Sequence, residues 1–245
     1  MADNGQPTTD NINGPPFALW RGVTNTLEAV LLDIDGTLID SNDMHTDCWI
    51  EAFAHFGVEV EREVMRMQIG KGGDLLVPDL LNARQMRKFG DELGEYRGKL
   101  WKRKFMENVR PFAGAVEAMR ALAERKRKLA FASSSNEDEV EYYVELLGAG
   151  DLLEGTTSKK DAKFSKPSPE IFQAALERVQ GDPARTLVVG DTPYDILAAH
   201  RSKLPVAAVL CGGFPRDTLT KAEFLFDDLA ALVKELDRVD DYFRE

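Results

Sequence analysis

Cysteine, histidine and positive charge are all scarce in this chain. Only Cys48 and Cys211 occur, far apart, with no CxxC pair and no Cys/His cluster. That speaks against a zinc site and fits two reduced, partly buried thiols in a cytoplasmic protein. Lysine and arginine number 31 against 42 acids, a net charge of −11. A nucleic-acid backbone is therefore not the expected main partner, because neutralising phosphates needs a basic face. A small anionic substrate is still admitted, since a metal ion or a few lysines can reverse the local field. No apolar run approaches a membrane span. The opening MADNGQPTTDNINGPP has no apolar core of a secretory signal, and residues 1–26, rich in Asn, Thr, Gly and Pro, are expected to be a disordered tail. Nothing in the sequence bears on oligomeric state.

What is present is ample for a packed core: 245 residues, 43 % of them hydrophobic, enough for one large domain or two modest ones. From Leu27 onward, short apolar runs alternate with amphipathic segments. LEAVLLDI, KLAFASSS, RTLVVGDT and PVAAVLCGG read as strands, with LLEGTTS weaker. PFAGAVEAMRALAERK, with Pro111 near its start, reads as a helix. So do NEDEVEYYVELLG, closed by Gly148, SPEIFQAALERVQG, with Ser168 as its N-cap, and PYDILAAHRSK. AEFLFDDLAALVKELDRV reads as a last short strand and helix. The alternation predicts an α/β fold, a mostly parallel sheet with helices on both faces. Residues 42–108 break the rhythm, with helical patterns and no convincing strand. A helical module is thus expected between linkers near Ser41 and Arg110.

Ligands of open parallel sheets bind beyond the carboxyl ends of the strands. The sequence puts Asp33 and Asp35 there, then Ser133, Ser134 and Ser135, then Asp191 and Asp195, with Lys166 just ahead of a proline-led helix. Several carboxylates on one rim repel one another unless a cation sits among them. Oxygen donors without imidazole suit Mg²⁺. An Asp carboxylate is a competent nucleophile in covalent phosphoryl transfer, and a second Asp can shuttle the proton. Hydroxyls and a lysine can hold the oxygens that do not react.

DIDGT, a strand-end serine, KPSPEIF and GDTPYD, in that order, resemble the four motifs of the haloacid dehalogenase-like hydrolase superfamily. DxDGTL followed by DS, the helical insert and KPxPxxF resemble its phosphoglycolate phosphatase and β-phosphoglucomutase branch. The resemblance covers about residues 27 to 235. It implies a Rossmann-like core at 27–41 and 110–245, and an α-helical cap at 42–109. It also implies Mg²⁺, a small phosphorylated metabolite as substrate, and hydrolysis through an aspartyl-phosphate. Asp33 would be the nucleophile, and Asp35 the general acid/base, its carbonyl facing the metal. Ser133, with Ser134 beside it and Thr37 nearby, would bind phosphate. Lys166 would pair with the nucleophile and a phosphate oxygen, Asp191 would ligate Mg²⁺, and Asp195 would do so through water or orient Lys166.

Blander roles stand beside these. Asp-Gly is a common turn pair, yet that does not explain Asp33 at the end of an apolar strand. Ser135 and Asn136 suit a helix N-cap, and Asp195 suits a first helical turn. His45 and Trp49 lie four apart on one helix face, so Trp49 packs while His45 serves a hinge or, as in β-phosphoglucomutases, proton traffic. Lys71, in the glycine-rich IGKGGD, is either a contact for an anionic leaving group or a surface lysine. RKFGDELGEYRGKLWKRKF reads as a solvated helix face, and His55 and His200 as structural. The rivals to a phosphatase are a phosphomutase, a haloacid dehalogenase proper, which lacks the second Asp, and a binding protein on a disabled site.

Overall fold

The computed structural model describes residues 26–244, so the expected tail lies outside the described residues except for Thr26. β1 (Ala29–Leu32) is buried on both sides, with Val30 and Leu32 in one core and Ala29 and Leu31 in another. This is the two-residue side-chain period of a strand covered on both faces. The chain then makes β2 (Ile39–Asp40), which pairs antiparallel with β3 (Arg110–Pro111). Between these two short strands run α1 (Asn42–His55), α2 (Arg62–Arg66), α3 (Gly73–Leu80) and α4 (Ala83–Leu100), then a π-helical turn at Trp101–Phe105. The segments expected to be linkers are therefore hydrogen-bonded to each other at the neck of the helical region.

α1 divides its apolar side. Cys48 and Ala52 pack toward the sheet, while Trp49 and Phe53 join Met65, Leu76 and Leu93 in a separate cluster. α4 starts on a capping box: Asn82 accepts from the amides of Arg84 and Gln85, both at 3.0 Å, and the Gln85 side chain accepts from the Asn82 amide.

The remaining elements build the sheet and its covers. α5 (Ala115–Glu124) leads to β4 (Lys128–Ala132), α6 (Glu137–Leu147) to β5 (Gly155–Thr157), and α7 (Glu170–Val179) to β6 (Thr186–Gly190). Then follow α8 (Pro193–Arg201), β7 (Val206–Val209), β8 (Phe224–Phe226), α9 (Leu229–Lys234) and α10 (Leu236–Tyr242). The six main strands lie in the order β5-β4-β1-β6-β7-β8, all parallel. α5, α6, α9 and α10 cover the face that holds Val30 and Phe131. α7 and α8 cover the other. The strand order reverses direction at β1, which puts a crevice between the loops after β1, β4 and β6.

Three sequence expectations need correction. Pro111 pairs in β3 and does not start a helix; α5 begins at Ala115 because Gly114, at φ 85°, takes a left-handed conformation that ends the preceding turn. The N-cap of α7 is Pro169 and not Ser168. The last helix is two, broken at Glu235, and the break lets Leu236 and Val239 reach the core.

Phe131 is the fourth residue of β4 and is fully buried. Phe131→Ala is expected to cost about 3–5 kcal/mol, read as a lower urea midpoint with an unchanged m-value.

Candidate active site

The loops after β1, β5 and β6 meet around one ammonium group. Asp33 follows β1 and its amide donates to the Val189 carbonyl at 2.9 Å, which fixes the loop to β6. Lys166 donates to Asp33 Oδ1 and lies 2.8 Å from Asp195 Oδ1. Asp33, Asp191 and Asp195 are all buried, and each offers an oxygen within 4.8 Å of the others. The Asp195 Oδ2 also accepts from the Thr192 hydroxyl at 2.6 Å and its amide at 3.0 Å, so this residue both caps α8 and holds the lysine.

Asp191 is held from two sides. Its Oδ1 lies 3.1 Å from the Thr37 hydroxyl and its Oδ2 accepts from Asn42 Nδ2 at 2.7 Å. Asn42 donates as well to the Gly212 carbonyl at 2.9 Å. Two glycines make room for this carboxylate. A Cβ at Gly212 would fall 1.9 Å from Asp191 Oδ2, and one at Gly36, itself at φ 78°, would fall 2.4 Å from it. Neither position admits a side chain.

The electrostatics follow from the count of charges: three buried carboxylates and one ammonium. Burial, opposed by Lys166 and reinforced by the charge of Asp195, raises the Asp33 carboxyl to about 7. Burial and the charges of Asp195 and Asp33 push Asp191 well above the carboxylate range. Burial works against the Lys166 ammonium, yet Asp195 and Asp33 outweigh it and raise its pKa. The cluster is short of positive charge.

Asp35 sits differently. Its Oδ1 accepts from the Ser41 hydroxyl at 2.7 Å and meets His45 Nε2 at 2.8 Å, and its Oδ2 accepts from the Ser135 hydroxyl at 2.9 Å. Burial alone would raise this carboxyl. The contact with His45 and these hydrogen bonds hold it below the usual carboxylate range. Arg97 of α4 contacts His45 Nδ1. A guanidinium can only donate, so the hydrogen-bond pattern assigns Nδ1 as acceptor and puts the proton on Nε2, toward Asp35. The imidazole lies flat on Trp101, centroids 3.8 Å apart.

Ser133 is almost fully buried and its hydroxyl accepts from the Ser135 amide at 3.0 Å. Ser134 carries a buried hydroxyl with no partner among the described residues. A cavity of about 950 Å³ opens from Asp33, Asp35, Ser133 and Lys166 toward Trp49 and Lys71 in the helical region. The structure thus brings together Asp33, Asp191, Asp195, Lys166 and Thr37, and sets Asp35, His45 and the serines beside them. Lys71 is tied to Gln68 and Asp79, each at 2.7 Å, on the far wall. Sequence reasoning missed Asn42, Gly212 and Arg97. Asn42 and Gly212 carry no local signal. Arg97 sits in the helix read as solvated, and only its four-residue spacing to Trp101 sets it apart.

The profile of the haloacid dehalogenase-like hydrolase family matches residues 30–209. The chain belongs to that family. It is 27 % identical over 206 residues to the validoxylamine A 7'-phosphate phosphatase of Streptomyces hygroscopicus subsp. limoneus, covering 82 % of this chain and 94 % of that protein. It is 26 % identical over 220 residues to the phosphoglycolate phosphatase of Rhodospirillum rubrum, covering 84 % and 89 %. A hydrolase from Pseudomonas syringae superposes with a TM-score of 0.79 at 25 % identity, over 86 % of this chain and 99 % of that one. A provisionally named β-phosphoglucomutase from Bacteroides vulgatus shares the fold, with a TM-score of 0.79 at 20 % identity over 91 % and 92 %.

Removing the ammonium leaves the carboxylates uncompensated. Lys166→Met is expected to lose about 3–5 kcal/mol at pH 8, and less at pH 5 where the carboxylates take up protons, measured by chemical denaturation at the two pH values. The raised Asp33 pKa gives a second expectation. The folded state keeps a proton that the unfolded chain releases near pH 4, so chelator-treated protein loses stability as pH rises from about 4 to about 7. Asp33→Asn should flatten that slope in a series of thermal melts.

Proposed function

We propose that the chain is a Mg²⁺-dependent phosphatase that hydrolyses a phosphate monoester through an aspartyl-phosphate on Asp33. The observation that carries this is the cluster of Asp33, Asp191 and Asp195, two of which hold Lys166. Three buried carboxylates against one ammonium, with oxygen donors only, fit a hard divalent cation such as Mg²⁺. Asp33, Asp191 and the Asp35 carbonyl would hold it, with Asp195 orienting Lys166. When bound, the ion neutralises charge on the phosphate and helps to orient it.

The chain's own groups do the rest. Asp33 attacks phosphorus, the ester P–O bond breaks, and Asp35 gives a proton to the leaving oxygen. Water then attacks the same phosphorus and passes a proton to Asp35; the bond to Asp33 breaks and inorganic phosphate leaves. Ser133, Ser134 and Lys166 hold the oxygens that do not react. Thr37 and Asn42 keep Asp191 in place. The cage of Ser41, His45 and Ser135 favours the charged form of Asp35, the form that the second half needs as a base; for the first half the carboxylate takes up a proton from solvent as the anionic phosphate comes to lie beside it and disfavours its charge.

In this reading residues 42–109 act as a lid over a core of residues 27–41 and 110–245, excluding bulk water while the first bond breaks. Lys71 would meet the leaving group from that lid. No helix among the described residues is long and apolar enough to cross a membrane, and the scarcity of cysteine favours the cytoplasm. A phosphomutase of the same branch is the second reading, favoured by His45 Nε2 at 2.8 Å from Asp35. The assays separate the two, since a mutase isomerises a sugar phosphate without releasing phosphate.

Asp33→Asn should abolish Mg²⁺-dependent release of phosphate from para-nitrophenyl phosphate, and full activity in that variant would sink the proposal. Asp35→Asn should still give a burst of nitrophenolate, a leaving group that needs no proton. Its steady-state rate should fall by about 10²–10⁴-fold, as followed by stopped-flow absorbance.

A further inference from the structure

The loop after β7 carries two consecutive glycines whose missing side chains serve two different neighbours. At Gly212 the bare backbone lies against Asp191, where a Cβ would fall 1.9 Å from Oδ2. Gly213, at φ 83°, is left-handed, and a Cβ there would fall 2.8 Å from Arg66 Nη2. One short loop thus makes room for an acid of the cluster and for an arginine of α2. The Gly213 amide donates to the Leu210 carbonyl at 2.9 Å, which closes the turn. The buried Phe214 ring receives the Arg66 guanidinium carbon 5.0 Å from its centroid.

Hydrogen bonds join the two neighbours. The Asn42 amide nitrogen carries two hydrogens, and its two acceptors are Asp191 Oδ2 at 2.7 Å and the Gly212 carbonyl at 2.9 Å. Arg66 Nη2 donates to the same carbonyl. A carbonyl has two lone pairs, so these donors fill it. Asn42 is the first residue of α1, beside the neck. Arg66 ends α2, and it reaches the loop only while α2 lies against it. Stability is a poor reason for the contact. Arg66 Nη1 is buried with no partner among the described residues, which costs free energy. Its acidic neighbour Asp43 lies 3.5 Å away on a side chain that is 75 % exposed, a weak pair.

We infer that Arg66 is a positioning residue for the cation site: seated on the Gly212 carbonyl, it fixes the loop against which Asp191 is held, so that docking of α2 and binding of Mg²⁺ are linked. The inference rests on the Mg²⁺ reading and adds a residue that does not line the cavity. With Arg66 seated, Gly212 and Asn42 hold the Asp191 carboxylate in one orientation before a cation arrives. Without it the carbonyl keeps Asn42 alone, and binding a cation must also order the loop. Linkage is reciprocal, so a cation that holds Asp191 in this orientation also favours α2 on the loop. Charge alone predicts the opposite sign, because an arginine near a cation site repels the ion and its removal would tighten binding.

The test measures Mg²⁺ affinity by isothermal titration calorimetry on the full chain, for the wild type, Arg66→Met, Arg66→Lys and Arg62→Met. Arg62 lies one turn earlier on α2 and pairs with Asp43 and Asp47, so Arg62→Met removes the same charge without touching the loop. Arg66→Met should weaken Mg²⁺ binding by about fivefold or more, the lower end of ordinary coupling between two sites. Arg66→Lys, which keeps a donor, should fall between it and the wild type. Arg62→Met should stay within about twofold, since an exposed charge is screened. Amide hydrogen exchange gives the reciprocal readout: Mg²⁺ should slow exchange across α2 in the wild type and not in Arg66→Met. Should Arg66→Met not fold, Arg66→Lys decides by the same signs. Unchanged or tighter binding in the Arg66 variants, or equal weakening in Arg62→Met, overturns the inference and leaves the phosphatase reading standing. A wild type that binds no Mg²⁺ overturns both.

Discussion

One buried ammonium facing three buried carboxylates governs this molecule. Lys166 touches Asp33 and Asp195, and Asp191 completes the cluster with help only from the neutral donors Thr37 and Asn42. Such a cluster costs desolvation energy that hydrogen bonds and one cation do not fully return. The sheet tolerates it because both faces are packed with apolar side chains, and because Asp33 and Asp191 sit at strand ends and Asp195 in the first turn of α8, where the backbone is already fixed. The excess of negative charge is the property the proposed chemistry would use: a place for a divalent cation, and a nucleophile beside it.

The helical region is joined to this centre at more than its neck. Arg97 reaches His45, and His45 reaches Asp35, so α4 bears on the orientation of that carboxylate. Farther along, the Tyr194 hydroxyl donates to the Met67 carbonyl at 2.6 Å, Arg66 donates to the Gly212 carbonyl, and the Ser165 amide donates to Asp74 at 3.1 Å. Each of these core residues adjoins a group of the cluster: Tyr194 lies next to Asp195, Gly212 beside the Asp191 carboxylate, and Ser165 before Lys166. Movement of the helices would therefore be felt at the site through hydrogen bonds, and the π-helical turn at Trp101–Phe105 lies where α4 returns toward the neck.

The sheet was legible in the sequence because β1, β4, β6 and β7 are short apolar runs, the first three closed by polar residues and the last by glycines, the pattern of parallel strands buried on both faces. Asp33 was legible for the same reason, since no turn preference explains an acid closing such a run. Pro111 misled because proline opens helices as readily as it ends strands, and only the pairing with Ile39 decides. Asn42 and Arg97 were not legible. Their partners lie 149 and 52 residues away, and nothing local to either residue records the contact. Among the serines, the sequence named the segment, and the fold gave each hydroxyl its own place.

By itself, then, the sequence determined which residue types end each strand, and with them the oxygen-rich, anionic character of the rim. Side-chain period and strand-end chemistry are local properties, written in consecutive residues. The tertiary structure alone decided that Asp33 and Asp195 share one lysine with Asp191 beside them, that Asp35 turns away toward His45, and that bare backbone at Gly94 and Gly98 faces the cavity. Those are distances between remote segments, set by how helices pack on a twisted sheet, and no spacing along the chain contains them.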